Sequence, residues 1–200
     1  MRNVGANFSA HYPDQSKAVI IGVGNEYRRD DGAGVYAARK LEQFDPSVRV
    51  IVRSGEGASL MELWRCYDKV IIIDAVQSGV APGTIHKLDA GANSIPSDFF
   101  HYSSHAFGVA EAVELARSLG TLPRNLIIFG VEGADFSAGK GLTAMVQRAA
   151  DKVCDLLLQE LRISSVSDWR KSILAGDQRG HGNDKPASSR QLMSGARRIN

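Results

Sequence analysis

The chain has 200 residues, of which 44% are apolar and 23% charged, and a formal net charge of +2. That composition suits one folded domain and excludes a wholly disordered or collagen-like chain. The longest unbroken apolar runs, such as residues 18–21, 70–73 and 126–129, are four residues long; a membrane helix needs about 18, so no membrane association is expected.

The charge is uneven. Residues 168–200 hold seven Lys or Arg and three Asp, a net of +4, which leaves −2 for residues 1–167. The basic pI therefore belongs to the tail, and no nucleic-acid partner is expected of the folded part. The two cysteines, Cys66 and Cys154, lack CxxC spacing and read as buried small hydrophobes in a reducing compartment. The first 17 residues contain no apolar core of a secretory signal, and Arg28–Arg29 follows the first strand, so it is not a twin-arginine signal. A cytoplasmic protein is the expectation.

Residues 18–24 (AVIIGVG) read as a buried strand ended by glycine, and residues 34–44 show a helical period. Residues 48–52 read as a second strand, 60–64 as a short helix, and 69–75 (KVIIIDA) as a β-branched strand buried on both faces. Pro82–Gly83 marks a turn before an alternating strand at 84–88. Residues 90–104 are irregular, and Ser104 suits the N-cap of a helix from His105 to about Leu119. A buried strand at 125–131 and a long helix at 141–161 complete the pattern.

Buried strands alternating with helices predict an α/β fold: a three-layer sandwich with a mainly parallel twisted sheet, helices on both faces, and one antiparallel or edge strand at 84–88. The domain reading is a flexible lead at 1–17, a single α/β domain at 18–162, and a basic, disordered tail at 163–200 with a frayed segment around 166–174.

In a parallel sheet the strands end along one shared edge, where ligands bind. The residues after each strand are therefore the candidates. They are Asn25, Glu26, Asp30 and Asp31 after the first, Glu56 after the second, Asp74 at the end of the third, and Glu132 and Asp135 after the last; His105 lies just beyond the irregular stretch. Each alone has an ordinary explanation: a helix-dipole carboxylate, a strand-end cap, a solvated imidazole. Together they make an acidic edge with one histidine, and carboxylates that crowd together call for a cation. Other motifs fail. Residues 22–27 place Tyr27 where a dinucleotide fingerprint needs its third glycine, and GxxxxGK[ST], HExxH and GxSxG are all missing.

Residues 22–34 (GVGNEYRRDDGAG) resemble the N-terminal signature of the nickel–iron hydrogenase maturation endopeptidases. Ile73-Asp74-Ala75 with Ala81-Pro82-Gly83-Thr84, Ser104-His105 with Gly108, Gly130-Val131-Glu132, and Gly141-Leu142-Thr143 resemble that family's later segments, in order. The resemblance implies a small monomeric α/β endopeptidase that cuts the C-terminal extension from a hydrogenase large-subunit precursor after nickel insertion. The nickel would be supplied by the precursor. The family's metal-contacting and catalytic positions fall on Asp31, Asp74 and His105, with Asp30 and Asn25 beside them. The chain departs from the family at Ser54-Gly55-Glu56-Gly57, where an Asp-Gly-Gly-Thr type segment is common, and the role of Glu56 is open. Whether hydrolysis is of aspartic type or metal-assisted is also open. Two other functions fit the same residues: a non-catalytic nickel sensor or carrier, and a metal-dependent hydrolase of a small molecule.

Overall fold

The computed structural model describes residues 18–46, 48–95, 107–161 and 196–199. The expected N-terminal lead, Ser104, His105 and most of the tail lie outside the described residues.

Among the described residues six strands form one sheet: β1 (Ala18–Val23), β2 (Arg49–Arg53), β3 (Lys69–Val76), β4 (Ile85–Asp89), β5 (Asn125–Glu132) and β6 (Ala196–Ile199), in the order β2-β1-β3-β5-β4-β6. β1 runs parallel to β2 and β3, and β3 parallel to β5. β4 is antiparallel to β5, as its short connection to β3 requires, and β6 is antiparallel to β4. Every residue of β3 is buried, which is why its centre, Val70–Ile73, is a continuous apolar run rather than an alternating one.

Alternation along the strands supplies two cores. Ile20, Ile71, Ile73, Ile127 and Phe129 point to one face, where they pack with Leu41 of α1 (Ala33–Phe44) and Val146, Val153 and Leu157 of α4 (Ala144–Leu161). Val19, Ile21, Val70, Ile72 and Ile128 point to the other, against Leu60 and Trp64 of α2 (Gly57–Trp64) and Val113 of α3 (Val109–Ser118). The result is the expected three-layer sandwich. α1 lies so close to the sheet that a Cβ on Gly34 would stand 2.1 Å from the Ile73 carbonyl oxygen and 2.3 Å from that of Val23, so only glycine fits at its first turn.

Local chemistry moved several boundaries. α2 begins at Gly57, not at residue 60, because Glu56 accepts from the Ala58 and Ser59 amides at 3.0 and 2.9 Å and caps it. α3 begins at Val109, not at His105: Gly108 is its N-cap, and the Glu111 carboxylate reaches back to the Gly108 amide at 3.0 Å. α4 begins at Ala144, three residues late, because the Thr143 amide and hydroxyl are both drawn to Asp30. Ala196–Ile199, in a stretch read as an unstructured tail, pairs with β4, so β4 is not the sheet's edge among the described residues.

Candidate active site

The carboxyl ends of β1, β3 and β5 meet where α1 begins. The chain leaves β1 through a loop that the Asn25 side chain shapes by accepting from the Tyr27 amide at 2.9 Å. A single 3-10 turn, Arg29–Gly32, follows and leads straight into α1. Arg29 adopts φ +46°, a left-handed conformation that costs a non-glycine residue roughly 1 kcal/mol or more. Its amide is held by the Gly139 carbonyl at 3.0 Å. Gly24, at φ +129°, lets the chain double back: a Cβ there would lie 1.8 Å from the Asp31 carbonyl oxygen.

The two aspartates of the turn face opposite duties. Asp30 is fully buried. Its carboxylate accepts from the Ala134 and Asp135 amides, both at 2.9 Å, from the Thr143 amide at 2.7 Å, and from the Thr143 hydroxyl at 3.0 Å. It ties the loop after β5 to the loop after β1 and so fixes the turn that carries its neighbour. Asp31, also buried, packs with the turn against β3, close enough to Asp74 for its charge to act there.

Asp74 stands near the end of β3, opposite Gly130 of β5, on the α2/α3 face. Its Oδ1 accepts from the Ala75 amide at 2.8 Å. Burial first, and the Asp31 charge second, hold its carboxyl well above the usual carboxylate range; the Ala75 bond pulls weakly the other way. Asp31 and Asp74, 43 positions apart in the chain, are thus both buried and close enough for the charge of one to act on the other. Among the described residues no third His, Cys, Asp or Glu joins them in a metal-holding group. His105, expected as the third member, lies outside the described residues. The ends of its segment are anchored: the Ile95 amide donates to Glu114 of α3 at 3.0 Å, and the Phe107 carbonyl accepts from Gly57 at the head of α2 at 2.9 Å.

A family model of hydrogenase maturation proteases matches residues 35–160. The chain belongs to that family. It is 29% identical over 155 residues to the hydrogenase 2 maturation protease of Escherichia coli, covering 75% of this chain and 93% of that one. A hydrogenase expression/formation protein of Thiocapsa roseopersicina is 25% identical over 147 residues, and this chain spans 66% of its length. Among solved structures, the hydrogenase maturating endopeptidase HybD from E. coli superposes with a TM-score of 0.59 at 27% identity, over 74% of this chain and 94% of its own. Membership makes the protein a peptide-bond hydrolase. No described helix is long and apolar enough to cross a membrane.

In this hydrogenase maturation protease the remaining edge acids serve the scaffold. Both Glu56 oxygens cap α2. Asp135 pairs with Arg29 at 3.2 Å, and bonds from Ser137, with Arg29 adding to them, lower its pKa. Glu26 pairs with Arg39. Glu132 is almost wholly buried and accepts from the Ser78 amide and hydroxyl and the Gly79 amide at 2.8 to 2.9 Å, with His86 Nε2 at 3.3 Å. It clamps the loop that leaves β3. Sequence reasoning did not single out His86, and it named Thr143 only as part of a segment that resembles the family's, not as a partner of Asp30. His86 carried one usable signal, an ionisable residue inside an otherwise strand-like run; the Thr143 bond to Asp30 carried none.

Proposed function

We propose that this protein is the endopeptidase that removes the C-terminal extension of a nickel–iron hydrogenase large-subunit precursor after nickel has been inserted. The observation that carries the proposal is that Asp31 and Asp74 are both buried at the carboxyl edge of the sheet, close enough for the charge of one to act on the other. Such a pair gains most from an incoming divalent cation, which relieves both the desolvation and the repulsion that raise the Asp74 pKa. A precursor that presents bound nickel would bring that cation as part of the substrate. Asp31 and Asp74 would supply oxygen contacts and His105 a neutral imidazole nitrogen, a donor set that nickel(II) accepts. The cation would offset the burial and repulsion at Asp74 as the loaded precursor seats, so an unloaded precursor would meet a poorly matched site. Cleavage would in this way be tied to metal loading.

The test is a processing assay on purified precursor, with and without inserted nickel, read by mass spectrometry. The wild-type chain is expected to shorten only the loaded form. Asp31→Asn, Asp74→Asn and His105→Ala should each abolish shortening while circular dichroism stays native. Equal cutting of both precursor forms, or normal cutting by any two of the three variants, would refute the proposal.

A further inference from the structure

On the face of the domain where α1 and α4 pack, a groove of about 580 Å³ runs along α1. It begins at the site: Arg29 and Gly32, which flank the Asp30–Asp31 pair in the 3-10 turn, form its near wall. The turn is thus a shared partition, with the acidic pair against β3 on one side and the groove on the other. A polypeptide cut at the pair has to continue past the turn, and the groove is an adjoining channel.

Its lining has a sign. Arg29, Arg39, Lys40 and Lys140 contribute four cations against the single carboxylate of Glu26, and Leu142 and Phe44 supply apolar surface. Lys40 is held by Asp151 at 2.6 Å, and Arg39 and Arg29 have exposed partners in Glu26 and Asp135. Such exposed pairs are worth little and exchange readily. Lys140 makes no ion pair among the described residues; its ammonium rests 4.7 Å above the ring of Tyr27. Tyr27 and Phe44 are 60% and 64% exposed, large aromatic surfaces that carry the Lys140 and Lys40 ammoniums but remain mostly open to solvent. Tyr27 is also rigidly set, with its amide on Asn25 and its carbonyl on the Gly139 amide.

We propose that this groove binds an acidic, extended segment of the precursor beside the cleavage point, with Lys140 pairing to a carboxylate and Phe44 covering an apolar side chain. This deepens the proposed function and rests on it for the identity of the partner. The occupant is an acidic peptide because the lining is cationic and one cation lacks a counter-charge. It is extended because the groove is a channel along a helix.

The experiment uses the full chain carrying Lys140→Glu and Arg39→Glu together, both surface positions, with nickel-loaded precursor. Steady-state processing and direct binding by calorimetry are measured at low and high salt. The expected result is a KM and a Kd raised by roughly tenfold or more at low salt, with kcat changed less than about twofold. The gap should narrow at high salt, where screening shortens to a few ångströms. Unchanged KM and Kd in a variant that processes normally would overturn the groove and leave the proposed function standing. A wild-type chain that binds the precursor but never cuts it would instead defeat the proposed function, while weakened binding by the variant would still support the groove. Self-association that the same substitutions abolish, with precursor binding intact, would assign the groove to a second copy of the chain and overturn the proposal.

Discussion

Replacing Asp74 by Asn should stabilise the protein while abolishing its processing activity. Asp74 is buried, and within the described residues its carboxylate accepts one hydrogen bond, from the adjacent Ala75 amide, while Asp31 adds a like charge. An under-compensated buried polar group costs on the order of 1–3 kcal/mol, more when charged. Asn keeps the shape and the oxygen that Ala75 needs but removes the charge, so a gain of about 2 kcal/mol is expected at pH 8. For a chain of this size that raises Tm by roughly 4–8 °C. The pH dependence is the sharper part. A carboxyl whose folded pKa lies above its unfolded value, about 3.9, contributes stability that is fully present below the unfolded value. That contribution is lost as pH rises through the folded one. The Asp74→Asn advantage should therefore be largest at pH 8 and shrink as pH falls toward 5. Thermal unfolding of both proteins across that range is the assay. An Asp74→Asn variant less stable than wild type at pH 8, or an advantage independent of pH, would refute the reasoning. Asp31→Asn removes the repulsive share, and a double-mutant cycle with Asp74→Asn should show that share lost only once.

Asp30→Ala strands the Ala134, Asp135 and Thr143 amides without their acceptor; a loss of about 3 kcal/mol or more in urea unfolding is expected, with processing lost alongside. Gly34→Ala forces a methyl onto two backbone oxygens just over 2 Å away, so it should cost at least the roughly 1–3 kcal/mol of an overpacked core and reduce soluble yield. Burial pushes the Cys154 thiol up to about 12, whereas Cys66 is only partly buried; a thiol reagent at pH 8 should modify Cys66 first and reach Cys154 only on unfolding.

The sheet and its shared carboxyl edge were legible because β3 and β5 are buried on both faces, and full burial writes continuous apolar runs, Val70–Ile73 and Leu126–Phe129, into the sequence. Parallel strands then place every following acid along one edge, so Asp31 and Asp74 were both among its candidates, and the family resemblance alone set them apart from the rest. Which acids at that edge the scaffold would claim was not legible. Asp30 and Asp31 are chemically identical neighbours, and their opposite duties follow from a 3-10 turn and the left-handed Arg29, neither of which has a periodicity. Glu56 and Glu132 passed the same test as Asp74, yet Glu56 was claimed by the first amides of α2 and Glu132 by Ser78 and Gly79. Local hydrogen-bond competition decides such cases, and it depends on loop geometry rather than residue type.

That competition also explains why Asp74 stands apart. Among the described residues, three carboxylates are buried along this edge beside Asp31. Asp30 has four donors and Glu132 has three, with His86 at its side, so each is a finished structural node. Asp74 has a single donor among the described residues and a like charge nearby. A fold that can supply four donors to one carboxylate could supply them to another, and a buried acid left short is where a proton or an external cation gains most. These two nodes also hold the walls on either side of Asp74 in place. Asp30 pins the turn that carries Asp31, and Glu132 pins the loop that leaves β3, so neither wall can swing away to relieve the repulsion. Relief must come from what binds.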